Sequence, residues 1–257
     1  KAGYNSPHSK HIEEPLIMSQ VKAGFIQKVF SEVPETYELV NHVLTLGLDV
    51  GWRKRAARIA ADAAAAGGAG GGRWIDVCTG TGETAAYLDR LAPNGTKVFA
   101  LDFSQAMLAE AKKKNEARRI HFVSSDIKSL PFSDASFDLV MISFATRNIN
   151  LSKDILVQSF VELHRVLAPG GRFINVETSQ PSNSLIRKCF HLYIKLFVRS
   201  IGSRISGSKS AYTYLSNTIP RFYPPEELAD IMRRAGFDRV TYQQRFQGVV
   251  AIHQGVK

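Results

Sequence analysis

An apolar run, Trp74-Ile75-Asp76-Val77-Cys78, ends in Thr79-Gly80-Thr81-Gly82-Glu83, and a helical pattern begins at once. No other stretch constrains the fold as much. It describes a strand feeding a tight turn whose backbone can approach a ligand closely, because neither glycine carries a Cβ. A second apolar run, Lys97-Val98-Phe99-Ala100-Leu101, ends in Asp102, 20 residues beyond Gly82. A carboxylate there can accept hydrogen bonds from both hydroxyls of a ribose. The pair predicts a nucleoside-containing cofactor in a doubly wound α/β domain.

The turn alone leaves two cofactor classes open. Gly80-x-Gly82-x-x-Ala85 is a tolerable dinucleotide fingerprint, and an acid about 20 residues on also suits NAD. S-adenosylmethionine has no pyrophosphate, so the turn would instead face its methionine end. The order of elements bears on the choice. Strands are expected near 73–78, 97–102, 120–124, 137–143 and 171–177, with helices near 83–91, 104–116 and 153–167. Such alternation implies parallel strands joined by right-handed crossovers. The end of the chain differs. Pro225 opens a helix that stops at Gly236, and the runs Arg239 to Gln244 and Gly248 to His253 follow in close succession. So short a connector makes them antiparallel. A parallel sheet finished by an antiparallel strand is the Rossmann-like methyltransferase arrangement rather than the standard dinucleotide one. Ahead of it, Val21 to Phe30, Glu35 to Leu46 and Trp52 to Ala66 read as three helices. Pro34 divides the first two, Gly47 and Gly51 the last two, and Ala63 to Gly72 forms a loose connector.

A chain of 257 residues with 44% apolar content can build one large α/β domain with additions. We expect a disordered or non-native lead over 1–20, a helical cap and connector over 21–72, and a catalytic domain over 73–257. Within that domain a helical insertion is expected at about 182–222. No apolar run is long enough to cross a bilayer, and Lys1 to Pro15 lack the apolar core of a secretory signal. Cys78 and Cys189 lie far apart, Cys78 reading as a small core residue, and a reducing compartment fits best. Histidines 42, 164, 191 and 253 show no metal-ligand spacing, so no metal is expected.

Three further stretches are specific. Ser124-Ser125-Asp126-Ile127-Lys128-Ser129-Leu130-Pro131-Phe132 follows the third strand, Ser136-Phe137-Asp138-Leu139-Val140 opens the fourth, and Leu163 to Gly171 leads into the fifth. In this order they resemble the post-motifs of class I methyltransferases. More narrowly, Ile142-Ser143-Phe144-Ala145-Thr146-Arg147-Asn148 resembles the signature of the ubiquinone/menaquinone-biosynthesis C-methyltransferase family. So do Phe30-Ser31 with Tyr37-Glu38 and Asn41, Gly47, Trp52-Arg53-Lys54, Tyr212-x-Tyr214-Leu215, and the ending Gly248 to Gly255. The resemblance runs from about Val21 to Lys257. Departures are Ala145 where the family usually has glycine, Glu38 where aspartate is common, and the Thr178-Ser179-Gln180-Pro181 run.

The resemblance implies a seven-stranded sheet and an S-adenosylmethionine-dependent enzyme that methylates a ring carbon of a polyprenylated benzoquinol or naphthoquinol. Asp102 would hold the ribose, with the following Phe103 beside it. Gly80, Thr81 and Gly82 would meet the amino-acid portion, and Asp76 would accept hydrogen bonds from that region. Asp126 would accept from the adenine amino group while the Ile127 amide donates to the ring. Ser143 would lie beside the sulfonium, and Tyr37 would shield it. Arg147, whose pKa excludes it as a conventional base, would stabilise a forming phenolate or hold a relaying water, with Asn148 its neighbour. Structural readings compete at several of these: an N-cap for Asp102, a turn former for Asp126, core packing for Tyr37.

The formal charge of +10 is concentrated. Between Thr178 and Pro225 there is no acid, while Arg187, Lys188, Lys195, Arg199, Arg204, Lys209 and Arg221 fall there. Over Ser184 to Ile201 the basic residues form one helical stripe and aliphatic residues cover the rest. A homodimer is expected, and burial against the domain or that second subunit, or shallow insertion at an anionic membrane through about 184–201, would cover that face. A cytoplasmic site is expected, at the inner face of the membrane or its mitochondrial matrix side. A nucleic-acid role is not expected, because the cations interleave with aliphatics and no binding module is recognisable. Two other readings stand: the same fold with another small acceptor, and an NAD-dependent oxidoreductase.

Overall fold

The structure, a computed structural model, describes residues 24–26, 32–66 and 72–257. The expected lead over 1–20 and most of the connector lie outside these residues. Of the helix expected over Val21 to Phe30, Gly24, Phe25 and Ile26 are described and are helical. Helix α1 (Pro34–Thr45) and helix α2 (Leu48–Ala66) precede the sheet. The break between them is at Leu46 and Gly47, which take φ of 53° and 76°. Gly51, expected to divide two helices, sits inside α2 instead, where its φ is not positive. A lone glycine costs a helix about 1 kcal/mol, too little to break one that is otherwise well packed.

The sheet follows. Its strands are β1 (Arg73–Val77), β2 (Lys97–Asp102), β3 (Ile120–Ser124), β4 (Phe137–Ser143), β5 (Leu167–Thr178), β6 (Asp238–Arg245) and β7 (Val250–Val256). They lie in the order β3-β2-β1-β4-β5-β7-β6. Pairings through β5 are parallel, and β7 runs antiparallel to both β5 and β6. Thus six strands share one direction and the last is reversed, as the sequence predicted. Between strands run α3 (Glu83–Leu91), α4 (Gln105–Ala111), the single turn α5 (Thr146–Ile149) and α6 (Lys153–Val166). Helix α4 is shorter than expected because a 3-10 turn over Asn115–Arg118 takes its last residues.

The two-residue period of the strands sorts their side chains into two cores. Ile75, Val77, Val140, Ile142 and Phe173 pack with α6 and with α10 (Pro225–Arg234) on one face. Trp74, Leu139, Met141, Ile174 and Val176 pack on the other with Ala56, Ala57, Ala60 and Ala64 of α2 and with Ala85 and Leu88 of α3. These alanines lie in the helix expected over Trp52 to Ala66, and Ala64 alone of them falls in the run read as a loose connector.

A third core joins α1 to the segment after β5. That segment is α7 (Ser184–Tyr193), a π turn at Ile194–Val198, α8 (Arg199–Ser206) and α9 (Lys209–Thr218). Val33 and Val40 meet Ile194, Val198, Ala211, Tyr212 and Ile219, with Tyr37, Phe190 and Tyr193 alongside. The amphipathic stretch is therefore split between fates. Ile194 and Val198 are buried, whereas Leu185, Leu192, Leu196 and Phe197 remain exposed among the described residues. No helix among the described residues is long and apolar enough to cross a membrane.

Candidate functional site

At the C-terminal ends of β1 to β4 the parallel strands open a cavity of about 310 Å³. A crevice forms here because strand order reverses between β1 and β4. Its walls bring together nine of the residues singled out from the sequence: Tyr37, Gly80, Thr81, Asp102, Phe103, Asp126, Ile127, Ser143 and Asn148. Asp102 organises the floor. Its Oδ2 accepts the Gly80 N–H at 2.8 Å and its Oδ1 the Ser104 N–H at 2.8 Å. The helix cap proper is Ser104, whose Oγ accepts the Met107 N–H. Burial raises the Asp102 pKa above its ordinary value, and the two amide donors oppose that rise.

The two glycines do different work. Gly80 has φ of 56° and open space where a Cβ would stand, so its backbone borders the cavity. Gly82 has φ of 77°, and a Cβ there would lie 2.8 Å from Ala111 Cβ. It is therefore turned away from the cavity and permits α4 to approach the turn. Asp76 lies beneath the turn. Its Oδ2 accepts from Thr79 Oγ1 at 2.6 Å, its Oδ1 is buried without a partner, and burial pushes its pKa up to about 7.

Asp126 is exposed on the cavity rim, where its Oδ1 accepts the Lys128 N–H at 2.9 Å, an Asx turn that presents the buried Ile127. Ser143 is buried with its Oγ unpartnered. Cys78 packs against the core but also lines the cavity, with φ of 53°, and Phe144 at the neighbouring strand end has φ of 54°. Two non-glycine residues in this region mark a turn held by its surroundings. Ala145, in contrast, has φ of −118°, so its conformation does not require the family's usual glycine.

A second cavity of about 450 Å³ adjoins the first, and Tyr37, Arg53 and Phe144 line both. Its wall is apolar, built from Leu44 and Trp52 of the first two helices, Phe190, Ile194 and Val198 of the later ones, and Val249. Arg147 belongs to this cavity and not to the first. Glu177, at 1% exposed, fixes it: Oε2 accepts the Arg147 backbone N–H at 3.1 Å and Oε1 accepts Nη1 at 3.0 Å. Nη1 also donates to Thr178 Oγ1 at 2.9 Å, while Nε is buried and unpartnered. Thr178, one of the departures from the family pattern, is thus in contact with Arg147. Glu38, another, pairs with Lys114 at 2.7 Å away from this contact.

Sequence reasoning missed this cavity, the Glu177 partner and any role for Arg53. A buried guanidinium in the turn after β4 needs a counter-charge, and Glu177 is the acid near the tip of the adjacent strand β5; that signal was available. His42, Asp49 and Glu83 bring their ligand atoms within 4.8 Å of one another, a grouping that sequence spacing does not show. Arg53 Nε lies 3.8 Å from Asp49 and 3.3 Å from Glu83, so a cation already occupies the charge environment a metal would need. His253 is held neutral, since burial lowers its pKa to about 4, and it donates through Nε2 to Pro225 O.

A nucleoside joined to an amino acid fits the first cavity: an acid, Asp102, in its floor, an exposed acid, Asp126, on the rim, and buried polar atoms of Ser143 and Asn148 lacking partners among the described residues. Asp76, expected to meet the amino-acid portion, does not line this cavity. The model of the ubiE/COQ5 methyltransferase family matches residues 18–257. The chain is 38% identical over 229 residues to a demethylmenaquinone methyltransferase of Thermus thermophilus, covering 88% of this chain and 99% of that one. It is 35% identical over 236 residues to the ubiquinone/menaquinone biosynthesis C-methyltransferase UbiE of Desulfotalea psychrophila, covering 92% of each. Among solved structures, a SAM-dependent methyltransferase from Thermotoga maritima superposes with TM-score 0.56 at 19% identity, over 90% of this chain and 99% of that one. Another from Aquifex aeolicus gives 0.51 at 18% identity, over 73% and 82%.

Proposed function

The chain belongs to the ubiE/COQ5 methyltransferase family, and on that premise we propose that it methylates a ring carbon of a polyprenylated benzoquinol or naphthoquinol. It is an S-adenosylmethionine-dependent methyltransferase. The observation that carries the substrate reading is the pair of adjoining cavities, one with acids and backbone turns at its strand ends and one almost wholly apolar, with Tyr37, Arg53 and Phe144 between them. A prenylated ring needs an apolar chamber that reaches the methyl donor, and the second cavity supplies one.

Bound S-adenosylmethionine supplies an electrophilic methyl group. The chain must hold a nucleophilic ring carbon roughly 3–3.5 Å from it and in line. Asp102, Asp126, Ile127 and Ser143 hold the cofactor side, and Tyr37 covers the junction. On the acceptor side a hydroquinone becomes nucleophilic at carbon when a ring hydroxyl gives its proton to solvent water, because the phenolate pushes electron density to the ortho position. The carbon that gains the methyl group then gives up its own proton to water as the ring regains aromaticity. Arg147 stabilises that phenolate: its unpartnered Nε is a fixed donor in an apolar wall, where such a hydrogen bond is worth more than in water. Glu177 keeps the guanidinium in place and offsets its charge. Asn148, with an unpartnered Oδ1, borders the cofactor side of the same turn.

A lipid acceptor also gives meaning to the outer surface. Leu185, Leu192, Leu196 and Phe197 are exposed on the same helical segment that lines the apolar cavity with its other face. Arg187, Lys188, Lys195 and Arg199 are exposed beside them. We read this face as a peripheral contact with an anionic bilayer rather than a dimer interface, because a two-fold contact would set like charges against each other.

Incubation with methyl-labelled S-adenosylmethionine and a reduced, demethylated quinone extract should place label in the prenylated lipid. Label confined to water-soluble products would instead favour the same fold acting on another small acceptor. Co-sedimentation with phosphatidylglycerol vesicles, lost in 0.5 M salt or with Leu192→Ser and Phe197→Ser, tests the surface; a dimer that ignores vesicles would refute it.

A further inference from the structure

The cofactor cavity has one wall that none of the contacts above employs, formed by Arg53 of α2 and Glu83 at the start of α3. Arg53 is 7% exposed, yet its Nε is buried without a hydrogen bond. Its one hydrogen bond among the described residues is long, Nη1 to Thr84 Oγ1 at 3.4 Å. Glu83 Oε2 lies 3.3 Å from Nε. The Arg53 charge is balanced by Asp49 and Glu83, but a guanidinium carries five N–H donors, and one long hydrogen bond leaves donors for a ligand.

Position says which ligand part. Along the sheet the cavity passes Asp126 after β3, Asp102 at the end of β2, Gly80 after β1, and Ser143 at the end of β4. Arg53 stacks its guanidinium 4.9 Å from the ring centroid of Phe144, just beyond β4. It therefore stands at the end of the cavity opposite Asp126. A ligand strung as base, sugar and amino acid, with its sugar at Asp102, brings its amino-acid end to Arg53.

We propose that Arg53 and Glu83 form a receptor for the α-amino acid group of S-adenosylmethionine, Arg53 taking the carboxylate and Glu83 the ammonium. Charge supports the pairing. Asp49 and Glu83 both flank Arg53, leaving one negative charge in excess. The cofactor, with a carboxylate, an ammonium and a sulfonium, brings one positive charge in excess. A bidentate fork on a carboxylate also has the geometry that favours arginine over lysine.

The test is calorimetric titration with three ligands: S-adenosylmethionine, its decarboxylated form, and methylthioadenosine, which lacks the whole amino acid. Arg53→Ala should weaken S-adenosylmethionine by about 10- to 100-fold, the worth of a lost charge-assisted hydrogen bond. Its affinity for the other two ligands should change by less than about 3-fold. Glu83→Gln should weaken the two ligands that retain the ammonium and spare methylthioadenosine. If Arg53→Ala does not fold, Arg53→Lys keeps the charge on α2 and should lose affinity for the carboxylate-bearing ligand alone. Equal losses for all three ligands would show that Arg53 only shapes the cavity, and unchanged S-adenosylmethionine affinity would remove it from the site; either result overturns the proposal.

Discussion

The two cavities differ in how the chain encodes them. The cofactor cavity is made of turns at strand ends, each specified within a few consecutive residues: Thr79-Gly80-Thr81-Gly82, Asp102-Phe103, Asp126-Ile127, Ser143-Phe144. Its polar groups are largely fixed by local backbone hydrogen bonds, as Asp102 is by Gly80 and Ser104. The acceptor cavity has no such motif. It is the space left where α1, α2, α7, the π turn and the tip of β5 meet, and its residues run from Tyr37 to Val249. Local chemistry can be read from a string of residues, whereas a void between packed faces depends on how far apart the faces come to rest.

The comparison predicts that substitutions should divide cleanly by cavity. The largest effect belongs to Arg147→Ala, which should lower methyl transfer about 100-fold or more while leaving S-adenosylmethionine affinity unchanged. Truncation also strands Glu177, a buried carboxylate, so part of any loss could come from misfolding. The pair Arg147→Met with Glu177→Gln removes that stranded charge. It should restore thermal stability relative to Arg147→Ala without restoring activity; recovered turnover would take Arg147 out of the chemistry.

Asp102→Ala comes next and should act on the other cavity alone. Loss of the proposed ribose contacts and of the Gly80 anchor should cost about 2–3 kcal/mol of cofactor affinity by calorimetry. Acceptor binding, followed by quenching of Trp52 fluorescence beside the second cavity, should be unaffected. If both affinities fall together, the cavities are not separable.

Asp76 gives an effect that depends on pH. Burial raises its pKa from 3.8 to about 7, so the folded protein binds a proton that the unfolded chain releases near pH 4. The stability this contributes is complete below the unfolded pKa and is lost as pH rises through the folded one. Urea unfolding without cofactor should therefore show wild type falling relative to Asp76→Asn between pH 5 and 7.5. Parallel pH profiles would mean that Asp76 stays ionised beneath the turn.

Much of the fold was legible for the reason that favours the cofactor site. Strands β1 to β4 emerge within a residue of expectation because buried parallel strands are short apolar runs bounded by turn residues. The reversed β7 followed from a connector too short for a crossover. Gly51 misled because glycine marks a boundary only when the chain needs left-handed φ or close approach, and Leu46 with Gly47 already met that need. Arg147 could be named from the motif, but its chamber could not: whether it faced cofactor or acceptor depended on Glu177, 30 residues away. Arg53 went unassigned because its neighbours Asp49, Glu83 and Phe144 converge only in three dimensions.

The smallest predicted effect uses the two free cysteines, which happen to report on one cavity each. Cys78 lines the cofactor cavity and Cys189 the acceptor cavity. Burial pushes the Cys78 thiol well above its usual pKa, with Asp102, Asp76 and Asp126 adding to the rise, so little thiolate is available for alkylation. Cys189 is exposed on α7. A maleimide should therefore label Cys189 first and Cys78 slowly, a ratio read directly by mass spectrometry. A prenylated quinol analogue should slow labelling of Cys189 by several fold and S-adenosylhomocysteine should not; for Cys78 the protection should be reversed. Because α1 and α7 share the third core, closure over the cofactor could in principle shield both thiols at once. Protection of Cys189 by S-adenosylhomocysteine alone would then be the sign that the two chambers, though encoded separately, open and close as one.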